Sequence, residues 1–368
     1  MEITNWNPGE LLKLSGSYWA TCTLHAGVKL DLFTHLTDGP CTAGELSQKL
    51  VLDTRGLTML LDALVALQLL EKQGDGYVVT ESVSPFLDRN SPAYLGHIIM
   101  HHHHLVESWS RLDEAVRSGA PVRNRVSHEP TEEERESFLL GMFNLAMLLA
   151  PKVAAEIDLS GRHRLLDLGG GPGTYAIHFC QLKATVFDIE TTRPFAEATI
   201  KRFSMSERID FAAGDFHAGP YPENFDVAWL SHVLHGEGPA SCSGMLANAV
   251  GTLEPGGVLF IQEFILDAER TSPVHPALFS LNMLLGTPEG TSYSEPEIVE
   301  LLRQAGLSRI ERLQIDLPNG AGIICGYKDG LSPLFEAFAT FGSSSQLTEL
   351  APIYTSNRSR LPADAGNV

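Results

Sequence analysis

The stretch Leu165-Leu166-Asp167-Leu168-Gly169-Gly170-Gly171-Pro172-Gly173-Thr174-Tyr175-Ala176 constrains this chain more than any other. An apolar run ends in Asp167, opens into a glycine-rich turn, and gives way to a run that suits a helix. The pattern predicts a strand, a tight turn and a helix. Glycines there let backbone approach a ligand where a Cβ would clash. The spacing is G-x-G-x-G. A dinucleotide fingerprint wants a third small residue where Thr174 stands, and Pro172 inside the turn also counts against it.

Four further pieces follow in order. Ala184-Thr185-Val186-Phe187-Asp188 ends in a carboxylate 19 residues after Gly169. An acidic residue at about that interval can take both ribose hydroxyls of a nucleoside. Ile209-Asp210-Phe211-Ala212-Ala213-Gly214-Asp215-Phe216 ends in a carboxylate and a ring, suited to an adenine edge and face. Phe225–Leu230 leads into Ser231-His232-Val233-Leu234-His235, and Leu253–Ile261 leads to Glu263.

This ordered set resembles the motif series of class I S-adenosylmethionine (SAM)-dependent methyltransferases. More narrowly it is similar to the small-molecule O-methyltransferases that include the plant caffeate, hydroxyindole and anthracycline enzymes, over roughly residues 10–328. The resemblance implies an α/β fold: a Rossmann-like SAM methyltransferase domain behind an N-terminal, mostly helical winged-helix dimerisation domain. It implies SAM as donor, with S-adenosylhomocysteine as product. Asp167, Gly169, Gly171, Asp188, Ile189, Gly214, Asp215, Phe216 and Ser231 would hold the donor. His235 and Glu263 would be catalytic. Met142, Phe143, Met147, His232, Phe279, Asn282 and Met283 would line the acceptor. No metal is expected. The match is incomplete: the family follows its catalytic His with Asp-Trp, where this chain has Gly236-Glu237. Plant members flank the base with a second glutamate, and Ser292 stands at that place.

Parallel strands are expected near 164–168, 184–188, 208–212, 225–230 and 257–262, alternating with helices. Two last strands, roughly 309–315 and 321–327, would form the family's antiparallel edge. Domain boundaries are read as 1–118 (winged-helix dimerisation domain), 119–157 (linker and pocket-roof helix), 158–328 (methyltransferase domain) and 329–368 (a tail without assigned role). In the first part, Thr42-Ala43-Gly44-Glu45 is a capping box. Asp53 caps a helix with a leucine stripe, and Gly74-Asp75-Gly76 turns a hairpin. Residues 10–36 read as helical and apolar nearly all round, which suits burial against a second subunit.

A winged helix raises DNA binding, and the charge excludes it. Residues 1–120 hold eight Lys+Arg against fourteen Asp+Glu, whereas a duplex reader needs a basic face. The whole chain carries −19, which disfavours polyanions generally. His101–His104 look like a metal tag, but helix neighbours point about 100° apart, so only His101 and His104 could share an ion. The N-terminus shows no secretory leader, no long uncharged apolar run is present, and the five cysteines form no framework; the expected setting is cytoplasmic, without membrane or nucleic-acid partners. The expected activity is O-methylation of a small aromatic metabolite by a homodimer. Metal-assisted C-methylation and a non-enzymatic SAM-binding regulator stay open beside it.

Overall fold

The structure, a computed structural model, describes residues 6–125 and 131–330. The tail call on 329–368 lies outside the described residues from 331 onward.

The first part is mostly helical: α1 (Pro8–Ser15), α2 (Tyr18–Lys29), α3 (Leu32–His35), β1 (Cys41–Thr42), α4 (Ala43–Leu50), α5 (Thr54–Ala66), β2 (Leu70–Gln73), β3 (Gly76–Val79), α6 (Ser84–Leu87), α7 (Gly96–Trp109) and α8 (Leu112–Ser118). The capping box forms in full. Thr42 Oγ1 accepts from the Glu45 N–H at 3.2 Å, and Glu45 accepts from the Thr42 N–H at 2.9 Å. Asp53 accepts from the Gly56 N–H at 2.7 Å and starts α5. Leu57, Leu61 and Leu64 on one face of α5 pack with Phe33, Leu46 and Tyr77 in a small core. Strands β1, β3 and β2 complete the helix–helix–hairpin unit read from the sequence. Residues 10–36 are three short helices rather than one. The chain turns at Gly16–Ser17 and again at Asp31, which sits at φ 56°. Leu11, Leu12, Leu14, Tyr18 and Trp19 remain exposed on α1 and α2.

Helix α9 (Glu132–Glu156) starts at Thr131, whose hydroxyl accepts from the Glu134 N–H. It is long and apolar enough to cross a bilayer, yet it packs against α7 and, in the next domain, against α10.

There β4 (Arg164–Leu168), α10 (Thr174–His178), β5 (Lys183–Asp188), α11 (Arg193–Arg202), β6 (Ile209–Ala213), β7 (Phe225–Ser231), α12 (Pro239–Thr252), β8 (Leu253–Phe264), α13 (Val274–Gly286), α14 (Glu295–Gln304), β9 (Leu307–Arg312) and β10 (Ala321–Lys328) follow. The seven strands run in the order β6-β5-β4-β7-β8-β10-β9. The first five pair in parallel, and β10 lies antiparallel to both β8 and β9. Side chains alternate between faces of the sheet, so each central strand feeds two cores. Leu165, Val227, Trp229, Val258 and Phe260 enter one core with α9 and α10. Leu166, Ala228, Leu230, Leu259 and Ile261 enter the other with α12 and α14. Strand β4 has β5 on one side and β7 on the other, so the chain's direction of growth reverses beside it. Ligands of open α/β sheets bind beyond the strand ends at such a point.

Candidate active site

The expected donor side is built on the turn after β4. Gly169, Gly171 and Gly173 take φ values of 66°, 52° and 78°, a region that L side chains avoid. At Gly169 a Cβ would stand 2.7 Å from Val233, the residue that follows His232. The glycine turn and the histidine segment after β7 therefore touch. At Gly171 a Cβ would meet nothing, so this backbone faces open space. That cradle suits a ligand, and the surrounding acidic residues suit SAM's cationic end.

Asp188, at the end of β5, is 9% exposed. It accepts from the N–H groups of Gly171 (2.9 Å) and Ile189 (2.7 Å) and from the Thr192 hydroxyl (3.2 Å). Burial is the largest influence on its carboxyl and raises the pKa, with the Gly171 and Ile189 N–H groups opposing. Asp167 is almost wholly buried and accepts from the Ala176 N–H at 3.3 Å. Its pKa is pushed up to about 7, by burial first and by the Asp188 charge next. Phe216 lies 6.2 Å from the Phe187 ring, and Asp215 accepts from the His217 N–H at 2.8 Å. Gly214 is packed so tightly on the Phe187 ring that no side chain fits. Ser231 closes β7 at this end of the sheet. If Asp188 holds the donor's ribose, Asp188→Ala weakens SAM binding by about 1–3 kcal/mol, the range for losing a charged hydrogen-bond partner. Calorimetry with unchanged SAM affinity would take Asp188 out of the site.

The expected acceptor side is built on the ends of β7 and β8. Glu263 continues the inward-facing series Leu259, Ile261 of β8 and is 1% exposed. Its Oε2 lies 2.8 Å from His235 Nδ1, and its Oε1 accepts from the His235 backbone N–H at 3.3 Å. Burial opposes the Glu263 charge, but the facing His235 and the contacts from both imidazoles outweigh it and hold the carboxyl far below the usual range. A carboxylate only accepts, so His235 carries its proton on Nδ1 and keeps the Nε2 lone pair free.

His232 Nδ1 stands 3.6 Å from the same Oε2, an ion-pair distance rather than a hydrogen bond. Its backbone sits at φ 56°, its N–H donates to the Gln262 carbonyl at 2.8 Å, and its Nε2 is 3.4 Å from the fully buried Gln262 amide. Phe279 meets His235 edge-on at 4.8 Å, and Phe264 lies 4.4 Å from His232 and 4.9 Å from Phe279.

The other expected acceptor residues have these surroundings. Phe143 packs on Phe203 and Met147 Sδ meets His178 Nε2 at 3.4 Å, toward α10 and α11. Met142 is half-buried on the same helix. Met283 is buried, and the Asn282 side-chain oxygen is within 3.5 Å of the Arg123 guanidinium. Ser292, at the second flanking position, donates to the Pro276 carbonyl at 2.8 Å. Of the metal candidates, His101 and His104 do not gather three ligands among the described residues. His232, His235 and Glu263 do, with ligand atoms within 4.8 Å of one another.

Sequence reading missed Gln262, Phe264 and a clasp on Glu237. Arg125 pairs with Glu237, the Ser241 hydroxyl donates to it at 2.8 Å, and His217 Nε2 stands 3.6 Å away. The Gly236-Glu237 departure from the family pattern marked the place without giving the partners.

The chain matches a family model described as an O-methyltransferase domain over residues 109–308, and one described as an O-methyltransferase dimerisation domain over 12–89. It is 34% identical over 330 residues to the 3-hydroxy-5-methyl-1-naphthoate 3-O-methyltransferase of Streptomyces sahachiroi, covering 87% of this chain and 95% of that one. It is 30% identical over 333 residues to the N,N-dimethyltransferase OxyT of Streptomyces rimosus, covering 86% and 96%. Human N-acetylserotonin methyltransferase, solved in complex with SAM, superposes with a TM-score of 0.78 at 29% identity, covering 89% and 100%. The chain belongs to the SAM-dependent O-methyltransferase family.

Proposed function

We propose that the protein transfers the SAM methyl group to a hydroxyl of a small aromatic metabolite, with His235 as general base and Glu263 as the group that orients it. The observation that carries this reading is the 2.8 Å contact between His235 Nδ1 and a buried carboxylate, on a segment that touches the donor turn. SAM supplies an activated methyl group with a neutral leaving group, so the chain's work is positioning and deprotonation. Gly169–Gly173, Asp188 and Phe216 would hold the donor. Phe264 and Phe279 offer faces and edges to an aryl acceptor. His235 Nε2 takes the hydroxyl proton, and Glu263 stabilises the resulting imidazolium.

The naphthoate enzyme among the relatives supports an aryl hydroxyl as acceptor; OxyT shows that nitrogen is also served in this family. Labelled SAM and 3-hydroxy-1-naphthoate, followed by mass spectrometry, tests the reading. A methyl ether is expected, and label on a ring carbon would overturn it.

The protein works as a homodimer in the cytoplasm on this reading. The dimerisation-domain match, the exposed apolar residues of α1 and α2, and five free cysteines support it. Light scattering at micromolar concentration is expected to give twice the 40.1 kDa chain mass. A monomer would sink the assignment.

One observation favours a second reading. Two imidazoles and a carboxylate gathered at one point are a set that binds divalent iron and similar metals, which would serve metal-assisted C-methylation.

A further inference from the structure

Val122-Arg123-Asn124-Arg125 follows α8 and precedes α9. The N–H groups of Val122 and Arg123 donate to the Leu285 carbonyl of α13 at 3.0 and 3.2 Å. The Arg123 side chain donates to the Asn282 carbonyl, three residues earlier, at 3.3 Å. The Arg125 side chain donates to the Gly236 carbonyl at 3.3 Å and pairs with the Glu237 carboxylate. Gly236 and Glu237 directly follow His235, and α13 carries Phe279, whose ring meets the His235 imidazole edge-on. One four-residue stretch therefore grips both the turn that carries His235 and the helix packed against its ring.

Each grip has a glycine beneath it. A Cβ at Gly236 would stand 2.7 Å from Arg125 Nη2, and a Cβ at Gly286 would stand 2.4 Å from the Arg123 guanidinium. Both guanidiniums thus fill the space of a missing side chain. Neither glycine takes a positive φ, so the backbone itself does not call for one. Glu237 is 8% exposed, and the Ser241 hydroxyl donates to its second oxygen at 2.8 Å. The Glu237 carbonyl accepts from the Tyr293 hydroxyl at 2.6 Å, and the Leu234 carbonyl from Cys242 Sγ at 3.4 Å. The turn Leu234–Gly236 is held from α12 and Tyr293 on one hand and from Arg125 on the other.

We infer that Arg125 is a positioning residue for methyl transfer. With Glu237 it holds the turn Leu234–Gly236 so that His235 Nδ1 stays on Glu263 and Nε2 stays free for the acceptor. The inference rests on the reading of His235 as base and adds the residues that place it. The Gly-Glu pair that stands in place of the family's Asp-Trp is one half of this clasp, and Arg125 is the other. An aspartate at 236 would put its Cβ into the guanidinium. The demand on placement is strict. The His235 backbone N–H reaches Glu263 at 3.3 Å and the ring at 2.8 Å, so a shift of the turn loosens both contacts together. A misplacement of about 1 Å in a catalytic group costs about 10²-fold in rate.

The tests use the full chain. The proton on His235 Nδ1, held by a buried carboxylate, is expected to give a downfield NMR resonance that H235A removes. R125A alone would leave the Glu237 charge buried and unpaired, so two gentler variants carry the test. G236A adds one methyl group, which the flexible guanidinium must leave. R125M/E237M removes both charges together, a change that costs the fold little. Each is expected to shift or broaden the resonance. Each is also expected to cut kcat toward 3-hydroxy-1-naphthoate by about 10–100-fold, with the KM for SAM changed by less than about twofold. R125K, which keeps the charge but not the planar fork, is expected to fall between. In an H235A background neither variant costs further rate, because an absent base cannot be misplaced. An unmoved resonance in both variants overturns the inference, and so does a wild type with no His235-dependent resonance. A rate loss of equal size with and without His235 overturns it too, since the clasp would then act on the fold at large. If the resonance moves but H235A turns over normally, the positioning of His235 stands and the general-base reading falls. If wild type forms no methyl ether, the resonance decides the inference by itself.

Discussion

His235→Ala is expected to cut turnover by about 10²–10⁴-fold while leaving SAM affinity nearly unchanged. The donor turn meets this segment through Val233, not through the imidazole, so donor binding survives the truncation. The size of the loss follows from the proton. A phenol ionises near pH 10. At neutral pH very little phenolate exists unless a base makes it, and Nε2 of His235 is the lone pair left free by the Nδ1–Glu263 contact. The loss therefore shrinks as pH approaches the acceptor's own pKa, because the nucleophile then forms unaided. In the wild type, kcat falls on the acid side as the imidazole is protonated and can no longer accept. Turnover profiles across pH for both proteins check each point. Near wild-type turnover at neutral pH in the variant would remove His235 from the chemistry and leave positioning as the source of rate.

The glycine turn and the strands around it were legible because their requirements are local. A left-handed turn needs glycines wherever it occurs, and the carboxylate at the end of the next strand follows from strand and helix lengths. The same holds for the capping box at Thr42, which forms as read. Strand β8 was read too short. Glu254-Pro255-Gly256 looks like a turn, but Leu253 pairs with Phe225 across a bulge and carries the strand back to that point. The acceptor half depends on contacts that spacing does not encode. Ser231 lies beside Gln262 only through the parallel register of β7 and β8, and that register is what brings His232 to the Gln262 amide. Helix α9 is apolar on nearly every face, so its periodicity gave no direction, and Phe143 meets Phe203 while Met147 meets His178. The Arg125–Glu237 pair joins residues on distant segments and left no mark in the sequence beyond the missing Asp-Trp.

Glu263→Gln separates the base from the metal. The amide keeps the volume of the carboxylate in a fully buried place, so the substitution removes charge with little change in packing. A glutamine oxygen can still accept from His235 Nδ1–H, but it cannot stabilise an imidazolium. Turnover is expected to fall by about 10²–10³-fold, below the loss of the base itself at its upper end. Stability changes too, and its sign is fixed by the depressed carboxyl. The folded protein binds fewer protons at Glu263 than the unfolded chain does, so the charge stabilises the fold above the ordinary glutamate range, and this is lost only as pH falls through the far lower folded value. The gap in melting temperature between wild type and Glu263→Gln is therefore expected to persist through mildly acidic pH and to close only in strong acid. Loss of wild-type rate at mildly acidic pH therefore does not come from protonation of Glu263. His232→Ala and chelator complete the comparison. With His235 as base, EDTA leaves turnover intact and His232→Ala costs less than His235→Ala, because His232 reaches Glu263 at 3.6 Å and not at 2.8 Å. With a metal held by His232, His235 and Glu263, EDTA reproduces all three substitutions, and raising the pH rescues none of them, since a missing Lewis acid is not replaced by a phenolate.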